Sequence, residues 1–251
     1  MPISSTNSLL LSIITVVFNA KETIEQTIIS VINQSYNNIE FIIVDGGSTD
    51  GTIDIIKKYD NKIAYWISEP DSGIYDAMNK GVNLAKGKYI YFLGAGDSVL
   101  DVLDQVAANF SNDNQILYGN VYRTDFSKLY DGKFSPFKLA VKNICHQAIF
   151  YPATVFKFYQ YNLKYKIQAD YELNIRCYGS KNFIFTYLPI TIAKYEGGGY
   201  SDSNIDYIFF ENKIQLIKSN FNVLVYYYVF IRTTIAKLFK LNAYQANRIT
   251  K

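Results

Sequence analysis

Three features of the sequence predict an α/β fold, an open, mixed and mainly parallel sheet flanked by helices. Over the first 120 residues, apolar runs rich in β-branched residues alternate with segments of helical period, the mark of βα units. Acids and glycines recur just past the apolar runs, at the carboxyl ends where open α/β sheets bind ligands. The composition of the 251 residues, 49% apolar, 16% aromatic and 19% charged, suits one large or two small globular domains and excludes disordered, collagen-like and coiled-coil chains.

Leu11 to Val17 reads as a buried strand. Asn19 is positioned to cap the next helix, whose apolar residues Ile24, Ile28, Val31 and Ile32 share one face, with Glu22 three residues past the cap. Phe41 to Val44 is the second strand, and Asp45 to Thr52 is turn chemistry leading into a helix of Ile53, Ile56 and Tyr59. A third strand, Ile63 to Ile67, precedes a helix of Ile74, Met78, Val82 and Ala85 that Gly87 can close. Tyr89 to Leu93 is the fourth strand; it runs into Gly94-Ala95-Gly96-Asp97, after which Leu100, Leu103, Val106 and Phe110 resume the helical period. Beyond Leu117 the alternation stops, and Asp131-Gly132 marks a hairpin in a more mixed second half.

Two cysteines, Cys145 and Cys177, and a single histidine, His146, are too few for a disulfide scaffold or a four-cysteine zinc site. A reduced, cytoplasmic setting is expected, and the residues before Leu9 show no signal or transit pattern. No Gly-x-Ser-x-Gly elbow accompanies the single histidine and no Gly-x-Gly-x-x-Gly follows the first strand, which disfavours a serine hydrolase and a dinucleotide-dependent oxidoreductase. Asp45 and Asp97, each past a strand end among small residues, can accept from a nucleoside or hold a divalent cation, or they are helix caps.

The ordered runs Ile14 to Asn19, Val44 to Thr52, Ser68 to Gly81, Phe92 to Asp97, His146 to Phe150, Ala169 to Leu173 and Gly197 to Ser201 together resemble family 2 glycosyltransferases of the GT-A fold. The look-alikes are bacterial transferases of colanic acid, O-antigen and capsule assembly, and the likeness covers about residues 10 to 205. It implies a nucleotide-diphospho-sugar donor bound by Asp45, by Asp71, Asp76, Asn79 and Lys80, and by Asp97. The family's metal motif of two acids falls on Ala95-Gly96-Asp97, so Asp97 alone is the expected ligand for Mg²⁺ or Mn²⁺. Where many relatives carry an arginine before the asparagine, this chain has Met78, which leaves one phosphate-neutralising charge unassigned.

The catalytic base that the resemblance implies is Asp170, which takes a proton from the acceptor hydroxyl in an inverting displacement. His146 and Gln147 are expected near the acceptor or the diphosphate, and Gly197 to Gly199 as a loop over the site or a plain turn. Rival readings are a sugar nucleotidyltransferase, which lacks its basic phosphate loop here, and a degenerate sugar-nucleotide-binding protein, prompted by Ala95.

Net charge is +3, yet residues 212 to 251 hold Lys213, Lys218, Arg232, Lys237, Lys240, Arg248 and Lys251 and no acid. The expected organisation is a catalytic domain over 1–206 and a basic, aromatic helical tail over 207–251. Phe221 to Ile231 is too short to span a bilayer, and with Tyr226 to Tyr228 it fits a helix lying on an anionic membrane surface or packed on the domain. The expected acceptor is a polyprenyl-diphosphate-linked saccharide at the inner face of the bacterial cytoplasmic membrane, with no nucleic-acid partner.

Overall fold

A computed structural model describes residues 10–130, 132–197 and 204–238, without the side chains of 237 and 238. Leu11–Val17 (β1) is buried at every position, because helices cover both faces of the strand. Its neighbours are parallel: β2 (Ile39–Asp45) on one side and β4 (Tyr89–Phe92) on the other, with β3 (Tyr65–Ser68) beyond β2. Parallel pairing demands crossovers, and α1 (Ile24–Ile32), α2 (Thr52–Lys58) and α3 (Ile74–Leu84) supply them.

The nine-stranded sheet of the described residues then turns mixed, in the order β3-β2-β1-β4-β8-β6-β9-β5. Here β5 is Ser98–Val99, β6 Gln115–Arg123, β8 Ile149–Pro152 and β9 Ile184–Tyr195; β7 (Lys128–Tyr130) pairs with β6 alone. Strand β8 is antiparallel to both β4 and β6, whereas β6 and β9 run parallel. Remaining helices are α4 (Leu103–Ala107), α5 (Pro136–Val141), α6 (Thr154–Phe158), α7 (Ala169–Gly179), α8 (Tyr207–Asn220) and α9 (Val223–Leu238).

Alternate side chains of the same strands divide between two cores. Leu11, Ile13, Phe41, Ile43 and Tyr91 pack with Ile24, Ile28, Ile56 and Leu103 of α1, α2 and α4. Ile14, Val16, Ile42, Val44 and Phe92 face the other way, toward Met78 of α3 and Leu173 of α7, in a core that also takes Phe209 and Ile217 of α8 and Val225 and Val229 of α9. Asp206 joins the last helices to the rest: its Oδ1 accepts from the Phe209 N–H at 3.1 Å, and its Oδ2 from the Ile167 N–H at 2.9 Å, just ahead of α7.

Several local expectations are corrected. Asn19 does not cap α1, which starts at Ile24 after Thr23; it turns through a left-handed φ of 48° and its Oδ1 accepts from the Thr49 N–H, tying the loops after β1 and β2 together. The hairpin of the second half joins β6 to β7 through Thr124–Ser127, with φ of 50° at Ser127, rather than through Asp131-Gly132, of which Asp131 lies outside the described residues. The helical period from Leu100 to Phe110 yields only α4; its first residue, Leu100, instead continues the pairing of β5 with β9, its N–H donating to the Ile192 carbonyl at 2.8 Å. Gly87 does not end α3 with a left-handed turn; a Cβ there would meet Ser12 Oγ at 2.5 Å, so glycine is required by close approach to β1. Gly198, Gly199 and Ser201 of the glycine run, and Lys240, Arg248 and Lys251 of the basic tail, fall outside the described residues.

Candidate active site

The carboxyl ends of β1, β4 and β6, the start of α3 and the segment before α7 enclose a cavity of about 910 Å³. Asp71, Asp97, His146, Gln147 and Asp170 all line it, so five of the residues singled out in the sequence meet in one place.

Asp170 stands in the first turn of α7 and is 7% exposed. Its Oδ1 accepts from the Tyr171 N–H at 2.8 Å and lies 2.9 Å from the Tyr75 hydroxyl, whose proton is shared with the Ile167 carbonyl at 2.6 Å. Its Oδ2 accepts from Asn143 Nδ2 at 2.8 Å. Burial pushes the Asp170 carboxyl above the usual carboxylate range, while His146 and these donors pull against it. His146 Nδ1 is 3.8 Å from Asp170 Oδ2, and burial lowers the imidazole's pKa, which favours the neutral ring.

Asp97 follows the turn at the end of β4 and is 6% exposed. Gln147 Nε2 donates to its Oδ2 at 2.5 Å, and the Glu196 N–H to its Oδ1 at 3.1 Å. Gln147 is itself fixed: its Oε1 accepts from the Cys145 thiol at 2.8 Å and its carbonyl from the Tyr91 hydroxyl at 2.9 Å. Consecutive residues of one short turn, His146–Ala148, therefore serve both carboxylates: His146 faces Asp170 and Gln147 holds Asp97.

The other expected donor residues are placed differently. Asp45 is buried at the end of β2, where Oδ2 accepts from the Gly47 and Ser48 N–H groups and the Ser68 hydroxyl, and Oδ1 has no hydrogen-bond partner. Asp71 reaches the cavity, with Oδ1 accepting from the Gly73 N–H at 2.8 Å. Asp76, Asn79 and Lys80 do not line it: Asp76 accepts from the Ser72 N–H, Asn79 exchanges two hydrogen bonds with the Tyr161 backbone, and Lys80 pairs with Glu69 at 2.7 Å.

Among the lining residues that escaped sequence reasoning are Tyr75, Asn143, Arg123 and Lys166. Tyr75 lay inside the Ser68–Gly81 run, and a phenol two residues past Gly73 was the available signal; Asn143, between α5 and the His146 turn, had none. Arg123 ends β6, sandwiched between the rings of Phe126 and Tyr195 at 4.7 and 4.8 Å and paired with Asp125 at 2.6 Å. Lys166 lines the cavity as well, so cationic side chains reach it from positions other than Met78, which is buried on α3.

Among the described residues no three His, Cys, Asp or Glu side chains converge as cation ligands. Among the described residues the acid expected from the sequence, Asp97, therefore has no further carboxylate, thiol or imidazole grouped with it as a cage. A Mg²⁺-type ion needs no such cage, being held in general by one or two carboxylates together with substrate phosphates.

Comparisons with known proteins give the chain's family and fold. The family model described as Glycosyl transferase family 2 matches residues 12–183. A "PGL/p-HBAD biosynthesis glycosyltransferase" of Mycobacterium bovis is 37% identical over 205 residues, 78% of this chain and 80% of that protein. An uncharacterized glycosyltransferase of Mycobacterium tuberculosis is 34% identical over 178 residues, 66% of this chain and 67% of its own. Staphylococcus aureus TarS 1-349, solved in complex with UDP-GlcNAc, superposes with a TM-score of 0.69 at 16% identity over 87% of this chain and 69% of that one. Against a longer TarS structure the chain spans 39% of the length. The mannosyltransferase PcManGT of Pyrobaculum calidifontis, solved with GDP-Man and Mn²⁺, gives 0.61 at 12% identity over 86% of this chain and 64% of that one. A βα half-sheet with its carboxylates at the strand ends, a family match over most of the chain and relatives above 30% identity lead to one conclusion: the chain belongs to glycosyltransferase family 2 and has the GT-A fold.

Proposed function

We propose that the protein transfers one sugar, with inversion, from a nucleotide-diphospho-sugar to a hydroxyl of a lipid-linked oligosaccharide in surface polysaccharide assembly. The observation that carries this reading is the pairing of two buried carboxylates on one cavity, Asp97 and Asp170, served by the adjacent residues Gln147 and His146.

Asp170 is the base. Two donors crowd its Oδ1, whereas Oδ2 takes one amide and keeps a lone pair for the acceptor's proton. A carboxyl raised by burial is a better proton acceptor than a surface aspartate. As the acceptor oxygen bonds to the anomeric carbon, the bond to the diphosphate breaks, and the proton ends on Asp170. Asp97 would hold Mg²⁺ or Mn²⁺, which would supply charge neutralisation for the departing diphosphate. Arg123, held by its pair with Asp125, presents a guanidinium at the β6 end of the cavity. Solved relatives in complex with UDP-GlcNAc and with GDP-Man support a donor of this class.

The acceptor class rests on the last helix. Helix α9 buries Val225, Val229 and Ala236 against the domain and turns Leu224, Tyr228, Ile231 and Ile235 outward, at 69, 40, 54 and 48% exposure. An apolar stripe followed by a run without acids matches an anionic membrane surface. No described helix is long and apolar enough to cross a membrane, so the contact proposed is peripheral, at the inner face.

The test is a donor screen, with UDP-, GDP- and TDP-sugars, Mg²⁺ or Mn²⁺ and polyprenyl-linked acceptors, following nucleoside diphosphate release. Turnover of one donor that Asp170→Asn abolishes bears out the reading. A folded protein that binds donors and turns none over would make it a degenerate binding module.

A further inference from the structure

A directional chain of amides runs from the core to Asp170. The Tyr151 hydroxyl, on β8, donates to Asn174 Oδ1 at 2.8 Å; Asn174 Nδ2 donates to Asn143 Oδ1 at 2.9 Å; Asn143 Nδ2 donates to Asp170 Oδ2 at 2.8 Å. Asn174 lies one turn after Asp170 on α7, and both it and Tyr151 are fully buried. An amide offers an acceptor on one side and donors on the other, so each link sets the orientation of the next. Reversing the chain would aim the Asn143 carbonyl at the carboxylate, lone pair against lone pair. An ionised Asp170 therefore permits one direction only.

Such a device is more than packing requires. The fully buried Asn174 and the half-buried Asn143 cost desolvation that apolar residues of the same size would not, and each persists only with its partners satisfied. Their one outlet to the cavity is Asn143, and Asn143 touches the very oxygen left available to the acceptor.

We propose that Asn143 is a positioning residue for Asp170, locked in its donor orientation by Asn174 and Tyr151, so that the relay keeps Oδ2 ionised and aimed into the cavity. This rests on the reading of Asp170 as the base. The titratable groups around that carboxylate are His146 and Cys145 on the turn side, Tyr75 on α3, and Tyr151, Tyr161 and Tyr171. Burial raises the pKa of every one of these phenols and of the thiol and lowers that of His146, so in each case it favours the neutral form.

Carboxyl-carbon NMR titration of aspartate-labelled protein tests this without needing turnover, with Asp170→Asn identifying the resonance. In Asn143→Ala the carboxylate loses a donor that favours its charged form, so its pKa should rise by about one. Asn174→Leu and Tyr151→Phe should raise it less, in the order of their distance along the chain, and they carry the test if Asn143→Ala fails to fold. With a donor that turns over, the acid limb of kcat should move up with them while donor KM stays within about twofold. An Asp170 titration unchanged in folded Asn143→Ala and Asn174→Leu overturns the proposal, as does a rise in KM alone. Wild-type turnover by Asp170→Asn would instead remove the base assignment, while the titrations still decide the positioning.

Discussion

Tyr75 and Asp170, 95 residues apart, meet with the phenol oxygen 2.9 Å from Oδ1 of the carboxylate. Helix α3, which the family resemblance places beside the donor, thereby supports the carboxylate proposed as the base. Tyr75 donates one proton, shared with the Ile167 carbonyl, and that proton favours the ionised carboxylate. Tyr75→Phe removes it. The Asp170 pKa then rises, the base form appears at higher pH, and on the acid limb of the profile kcat should fall by up to about tenfold. Because the deficit is one of protonation, it should shrink as the pH is raised. A loss of equal size at every pH, with the acid limb in place, would show that Tyr75 only packs.

Gly46 follows Asp45 at the end of β2, and a Cβ there would sit 2.5 Å from Asp71 Oδ2 and 3.4 Å from Phe18 Cδ2. Both of those residues line the cavity. Gly46→Ala should therefore push Asp71 off its bond to the Gly73 N–H and raise donor KM by roughly three- to tenfold, with kcat little changed. Steady-state kinetics against the donor reads this directly. An unchanged KM would place Asp71 outside the donor contact.

The half of the fold built from βα units was readable because its strands are buried on both faces and its helices carry one apolar stripe each, so the two periods differ sharply. Asp71, Asp97, His146, Gln147 and Asp170 were found for a related reason: they sit in short runs whose order is distinctive. What sequence could not show depends on distant partners. Asn19 looks like a cap until the loop after β2 supplies Thr49 as its donor. Asn79 and Lys80 lie in the matching run, yet Tyr161 and Glu69 draw them away from the cavity. Asn143 and Arg123 reach the site only because β6 and the His146 turn converge there, a pairing of segments that no local pattern encodes.

Lys213 gives a pH-dependent stability that is independent of turnover. It sits on α8 at 8% exposure, donating to the Val141 carbonyl at 3.2 Å with its ammonium 4.7 Å from the Tyr171 ring centre, and no acid lies within ion-pair distance among the described residues. Burial lowers its pKa from the ordinary 10.5 to about 7. Between those values the unfolded chain holds the proton and the folded chain does not, so this residue makes stability rise with pH across the window. Lys213→Met removes the titration and fills the same space. The variant should be the more stable protein at pH 7 and below, by on the order of 2 kcal/mol, and the gap should close toward pH 10. Urea midpoints of both proteins from pH 6 to 10 check this, and a gap that does not change with pH would mean that Lys213 stays charged in the fold.

The outward stripe of α9 makes the membrane reading testable without disturbing the core. Leu224, Ile231 and Ile235 are each about half exposed or more, whereas the residues that dock the helix, Val225, Val229 and Ala236, face the domain. Replacing the first three with serine should leave the thermal midpoint within about 2 °C, since exposed positions carry little of the packing energy. Binding to vesicles that contain anionic lipid should weaken by roughly tenfold per residue, the worth of one inserted apolar side chain. The basic run beyond residue 212 adds a second dependence: binding should fall as salt is raised and be weak on vesicles of neutral lipid alone. If wild type ignores anionic vesicles at low salt, or if the triple variant binds as wild type does, α9 meets some surface other than a membrane and the lipid-linked acceptor loses its structural support.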